Sequence, residues 1–200
     1  MKIVIVSGSG RTESQSLKVA NWLAAELTNQ GADTGVLELA REDYLPMLHT
    51  EVWGDVMGEP AQRLQAKLSD ADAYVIVTPE WAGMPSPAVK NFFLYVGKSM
   101  ADKPALLVGV SSTYGGQYPT AELRTTSHKN TRIVYIPEQL IVRHAEKVMN
   151  SPQAATDDKE DTYIQTRARY DLGVLLAYAE TMKPLRGHKA IDYQTHPNGM

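Results

Sequence analysis

Ser9, Arg11, Ser14 and Ser16 place four polar donor side chains within eight residues, beside Gly8 and Gly10. Hydroxyls and a planar, permanently charged guanidinium are the groups that hold an oxyanion, phosphate above all. The stretch lies between an apolar run, Ile3 to Val6, and a helical pattern that begins near Leu17. A buried strand that stops at a small turn and restarts as a helix leaves free N–H groups at the helix N-terminus, where partial positive charge favours an anion. The same residues also serve as plain turn chemistry, a Ser N-cap with a solvated Arg. From this loop alone both readings stay open.

Better-known loops are excluded by what is missing. A Walker loop needs Lys before its Ser/Thr, and none is present. The pattern G-x-G-x-x-G starts at Gly8 and Gly10 but meets Glu13 where its third Gly belongs. With no Cys in the chain, a thiol nucleophile, a disulfide and a thiolate metal site are all impossible. What remains is a loop of hydroxyls and one Arg, suited to a phosphomonoester such as that of FMN. His49, His128, His144, His188 and His196 are scattered without a helical pair, so no metal site is expected.

The elements that must position this loop follow from periodicity. Leu17, Ala20, Leu23, Ala24 and Leu27 recur at helical spacing, with Gly31 as the stop. A strand is expected over 34–39, a helix over 61–68, and buried strands at 73–77 and 105–110. Ser86-Pro87 starts a helix with the apolar face Val89, Phe92, Phe93 and Val96. Residues 121–126 read as helix, Arg132 to Ile136 as a last strand, and 142–161 as an irregular or mobile connection. Ile164 to Met182 is an amphipathic helix ended by Pro184 and Gly187, and the tail after it is ordered only if something holds it. Residues 41–60 form a long excursion whose Trp53 and Met57 serve as packing or as a lid.

Alternating strands and helices predict an α/β, doubly wound, five-stranded parallel sheet of flavodoxin-like order 2-1-3-4-5, with a C-terminal helix and tail. Ligands bind such sheets beyond the carboxyl ends of the strands, where strand order reverses. The first, third and fourth expected strands end in three polar turns: residues 7–16, 78–85 and 111–117. That order would set the three side by side.

At these motifs the chain resembles the NADPH-dependent FMN reductase family of flavodoxin-like proteins, which includes quinone, azo-dye and chromate reductases. Gly8 to Ser16 is similar to the family's G-S-x-R-x-x-S-x-[NS] phosphate loop. Leu45-Pro46 matches a Leu-Pro after its second strand. Residues 79–91 are similar to its P-E-Y-N-G-S-x-P-x-x-L-K-N, which wraps the isoalloxazine ring, and Gly115-Gly116 with Leu123-Arg124 to its G-G…L-R. The resemblance implies phosphate contacts from Ser9, Arg11, Ser14, Gln15 and Ser16, and ring contacts from Pro79, Glu80, Trp81, Ala82, Gly83, Ser112, Gly115 and Gly116. Trp81, Ala82 and Met84 depart from the pattern, standing for Tyr, Asn and Ser, which makes the rim more apolar. The match spans residues 1–145, read as the FMN-binding domain; 146–200 is read as a helical extension of it.

The implied activity is an NAD(P)H-dependent oxidoreductase in which NADPH or NADH reduces FMN and a quinone-like acceptor follows in the same pocket. The flavin carries the chemistry, so no catalytic side chain is nominated; backbone N–H groups of 80–83 and 112–116 are expected to face the charge developing on the ring. An electron carrier without proficient nicotinamide turnover, and an interaction protein with a decayed site, are the alternatives. Arg167 and Arg169 are candidates for a nicotinamide phosphate or for plain solvated surface. A net charge of −3 gives no basic field for nucleic acid, and no apolar run approaches a membrane span. A cytoplasmic homodimer or homotetramer is expected, with Phe92, Phe93, Tyr95 and Val96 as surplus apolar surface.

Overall fold

The strands Lys2–Ser7 (β1), Ala73–Trp81 (β3) and Pro104–Val110 (β5) are apolar at successive positions because both faces of each are covered. Ile3 and Ile5 enter one core with Val19, Leu23, Leu27, Leu172 and Leu175. Val4 and Val6 enter the other with Leu64, Leu68, Phe92 and Leu123. The computed structural model describes residues 1–41, 45–48 and 58–196. Trp53, Met57 and His49, and the tail residues from Pro197, lie outside the described residues.

Helix Gln15–Asn29 (α1) follows β1 and leads to strand Asp33–Glu38 (β2). Helix Glu59–Ser69 (α2) precedes β3, which turns back through the short strand Met84–Pro85 (β4) into helix Pro87–Tyr95 (α3). After β5 come helices Gln117–Thr126 (α4) and His128–Thr131 (α5), strand Val134–Val142 (β6) and the long helix Lys159–Met182 (α6). The parallel order β2-β1-β3-β5-β6, with β4 antiparallel on the end of β3, is the expected order once the two-residue strand is set aside. Strand order reverses at β1, which pairs with β2 on one edge and β3 on the other. The three polar turns therefore lie at one end of adjacent strands.

Four expectations change. β3 continues to Trp81 instead of stopping at Val77, because its last residues find an antiparallel partner in β4. The last strand starts at Val134, since Arg132 has φ +54° as the C-cap of α5, and it runs to Val142 through an irregularity opposite Ala105 to Leu107. Phe92, Tyr95 and Val96 are not surplus surface but wholly or almost wholly buried, packed with α2 residues. The 142–161 connection is irregular yet packed: Ala145, Val148 and Met149 are buried, and Lys18 Nζ donates to the carbonyls of Ala145 and Val148 and to Asn150 Oδ1 (2.7 Å). Trp22 Nε1 adds a bond to the Ser151 carbonyl at 2.9 Å. The described part of the tail finds a holder: Tyr193 donates to Asp102 with its ring 4.7 Å from the Arg132 guanidinium, and just before it Arg186 donates to Asp72 Oδ1 (2.9 Å).

Candidate functional site

The first loop is built on close contact. Gly8 N–H donates to the Val77 carbonyl at 2.7 Å, and a Cβ on Gly8 would overlap the Val89 side chain, so only glycine lets β1 leave this close to β3 and α3. Ser86, the N-cap of α3, accepts from Val89 N–H (3.2 Å) and donates to the Gly8 carbonyl, tying the second motif to the first. Ser14 is the N-cap of α1, its Oγ accepting the Leu17 N–H at 3.1 Å, while Ser9 Oγ accepts the Arg11 N–H at 3.1 Å. Glu13, where a dinucleotide loop has its third Gly, takes φ +52°. Ser9 and Ser16 are buried, Arg11 is exposed, and its guanidinium stands 5.7 Å from the Trp81 ring centroid.

The second turn is a two-residue hairpin. Trp81 pairs with Met84, and Ala82 and Gly83 between them have φ of +50° and +79°. This projects Trp81 and Met84 into solvent at 40% and 47% exposure, as an apolar rim. Asn91 fixes the neighbouring Leu-Pro segment: its amide accepts from Leu48 N–H (2.9 Å) and donates to the Pro46 carbonyl (3.0 Å). The third turn is braced by Arg143 Nε, which donates to the Tyr114 carbonyl at 2.7 Å, and by the His144 N–H on the Thr113 carbonyl. Gly116 N–H donates to the Glu80 carboxylate and Thr113 N–H to Ser111 Oγ. Two of the backbone donors expected to face a flavin ring from 112–116 are therefore already used.

Nine of the thirteen expected residues line one cleft of about 420 Å³: Ser9, Arg11, Ser14, Gln15, Ser16, Pro79, Glu80, Trp81 and Ser112. Ala82 instead lines a second, more apolar cavity that shares Trp81 and reaches Met47, Met84 and Leu94. Gly83, Gly115 and Gly116 are not on the wall of the cleft. Thr12, Glu13, Val110, Ser111 and Glu146 are additional lining residues. Glu146 had no local sequence signal; the 143–151 segment that carries it is anchored by Lys18. Burial lowers the pKa of that lysine from its ordinary value, against the pull of Asp161 and Glu146. Arg167 and Arg169 are engaged elsewhere, with Glu138 and Asp171, and with Glu26.

The donor set fits a phosphorylated flavin. Hydroxyls and the N-terminus of a fifteen-residue helix converge on the cleft. The Gln15 amide oxygen is buried with no hydrogen-bond partner among the described residues, an acceptor suited to a sugar-chain hydroxyl.

The family model described as NADPH-dependent FMN reductase matches residues 1–147. The chain is 27% identical over 146 residues to an NADPH azoreductase of Bacillus sp. (strain OY1-2), covering 71% of this chain and 76% of that protein. In fold it is similar to FerB of Paracoccus denitrificans, a flavoenzyme NAD(P)H:(acceptor) oxidoreductase. That likeness has a TM-score of 0.72 at 22% identity and covers 90% of this chain and 98% of the other. An azoreductase from Bacillus anthracis str. Sterne superimposes with a TM-score of 0.60 at 11% identity, covering 90% and 99%.

Proposed function

The chain belongs to the NADPH-dependent FMN reductase family, and from that membership we propose a shared-pocket reductase of flat aromatic acceptors. It is an oxidoreductase that works with FMN and a nicotinamide donor. The observation that carries the finer reading is the convergence of three turns, from β1, β3 and β5, on one cleft beside the N-terminus of α1. In this reading the phosphate is held by Ser9, Arg11, Ser14, Gln15 and Ser16. The ring lies between Pro79, Glu80 and Trp81 on one side and Ser112 on the other, with Ala82, Gly83, Gly115 and Gly116 shaping the two turns from behind that wall.

Bound FMN supplies the two-electron chemistry. The chain's residues hold the phosphate, orient the ring and close one side of it. The exposed Trp81 and Met84 leave an apolar rim at which a nicotinamide and then a quinone or azo compound stack in turn. Small anions such as chromate gain nothing from such a rim and should be poorer acceptors. The protein acts in the cytoplasm as a homodimer or homotetramer. The exposed surface for assembly is Met47 and Leu94, not the buried Phe92 cluster.

Initial-rate kinetics test this. Varied NAD(P)H at several fixed quinone concentrations should give parallel double-reciprocal lines, the pattern of a ping-pong scheme. Trp81→Ala should raise the quinone KM more than it lowers kcat. Intersecting lines would exclude the shared pocket, and absence of NAD(P)H oxidation by FMN-loaded protein would leave an electron carrier.

A further inference from the structure

Glu80 is a wall residue of the cleft whose carboxylate is committed to another turn. It accepts the Gly116 N–H, and Gly116, at φ +99°, is the N-cap of the ten-residue helix α4. Two missing side chains make room for this bond. A Cβ on Gly115 would come within 2.7 Å of Glu80 Oε2, and a Cβ on Gly109 would overlap the Gly116 carbonyl. A charge-assisted bond thus links the end of β3 to the start of α4, across 36 residues of sequence. The positive end of α4 thus meets the Glu80 carboxylate.

Resting on the flavin site proposed above, we propose that Glu80 is a positioning residue that latches the third turn to the hairpin and sets the potential of bound FMN. A fixed negative charge in the cleft wall disfavours the more electron-rich, reduced form of the flavin. The ordinary use of such a turn is the reverse, with free N–H groups that favour the reduced form. The two roles separate chemically. Glu80→Gln keeps an oxygen acceptor for the Gly116 N–H and removes the charge, whereas Glu80→Ala removes both.

Two measurements on the full chain decide it. In redox titration of the FMN-loaded protein, Glu80→Gln should bind the reduced form about tenfold more tightly relative to the oxidised form, a rise of about 30 mV for a two-electron couple. In FMN-free protein, the Gly116 amide should exchange with solvent at a similar rate in wild type and Glu80→Gln but at least about tenfold faster in Glu80→Ala. An unchanged or lowered potential in Glu80→Gln overturns the electrostatic role. Equal exchange in wild type and Glu80→Ala overturns the latch. Wild-type protein that takes up no FMN refutes the proposed function and the potential-setting role with it, while the exchange experiment still decides the latch.

Discussion

Replacing Ala82 by Asn should stabilise the protein, although the site is an exposed turn. Ala82 and Gly83 connect paired residues Trp81 and Met84 with two positive φ values, the arrangement of a type I′ turn, for which Asn-Gly is the favoured pair. An L-residue with a Cβ loses about 1–2 kcal/mol in the left-handed region, and Asn loses less because its short polar side chain bonds locally there. If about half of the penalty is recovered, the gain is about 0.5–1 kcal/mol, or about 1–4 °C in Tm for a chain of this size. Ala82→Gly removes the whole penalty but widens the unfolded ensemble by about 0.4–1 kcal/mol, so its net gain falls in a range of about 0–1.6 kcal/mol that brackets that of Asn. Ala82→Val should fall below wild type, because a β-branched residue is a genuine outlier at this φ. Thermal melts of FMN-free protein, with urea titrations to confirm an unchanged m value, give the ranking. Asn melting at or below Ala, or Val at or above it, would refute the argument that backbone conformation governs this position.

Arg11→Ala should weaken FMN about ten- to a hundredfold, through loss of a charge-assisted bond of about 1.5–3 kcal/mol, and leave riboflavin nearly unaffected. Flavin fluorescence titration measures both, and equal affinity of the wild type for FMN and riboflavin would remove the phosphate assignment. Burial pushes the Asp171 carboxyl up to about 6, against the pull of Arg167 and with some help from Glu138. Because its folded pKa exceeds its unfolded value, its contribution to stability is full below about pH 4 and is lost as pH rises through about 6. The difference in denaturation midpoint between wild type and Asp171→Asn should change across that window and be flat above it; a difference independent of pH would contradict the burial argument.

Local signals carried the sheet and the first loop. Continuous apolar runs at 73–77 and 105–110 are legible because both faces are covered, and the hydroxyls of 9–16 are legible because they crowd one turn. Features set by partners distant in sequence were not. Gly109 is illegible for a different reason, since its partner is close in sequence but nothing in an apolar run foretells the Gly116 carbonyl packed against it. The 143–151 segment has no period, and its order comes from Lys18, more than a hundred residues earlier. Phe92 and Tyr95 exceed what one sheet face covers, and the cover that buries them comes from α2. Trp81 and Met84 kept their expected exposure because a tight hairpin is specified by the chain immediately around it.

The bonds that brace the three turns also bear on the thermodynamics of filling the cleft. Ser86 holds Gly8, Glu80 holds Gly116, Arg143 holds Tyr114, and Lys18 holds the 145–150 segment beside them. The backbone around the cleft therefore loses its conformational freedom when the chain folds, and a flavin arriving later has little left to immobilise. Binding should be rapid and enthalpic, with a heat-capacity change no larger than the flavin's own buried area requires. A loop insertion in one turn would restore mobility to that turn and loosen the neighbour bonded to it, and would show as a slower association rate before it showed as a lower melting temperature.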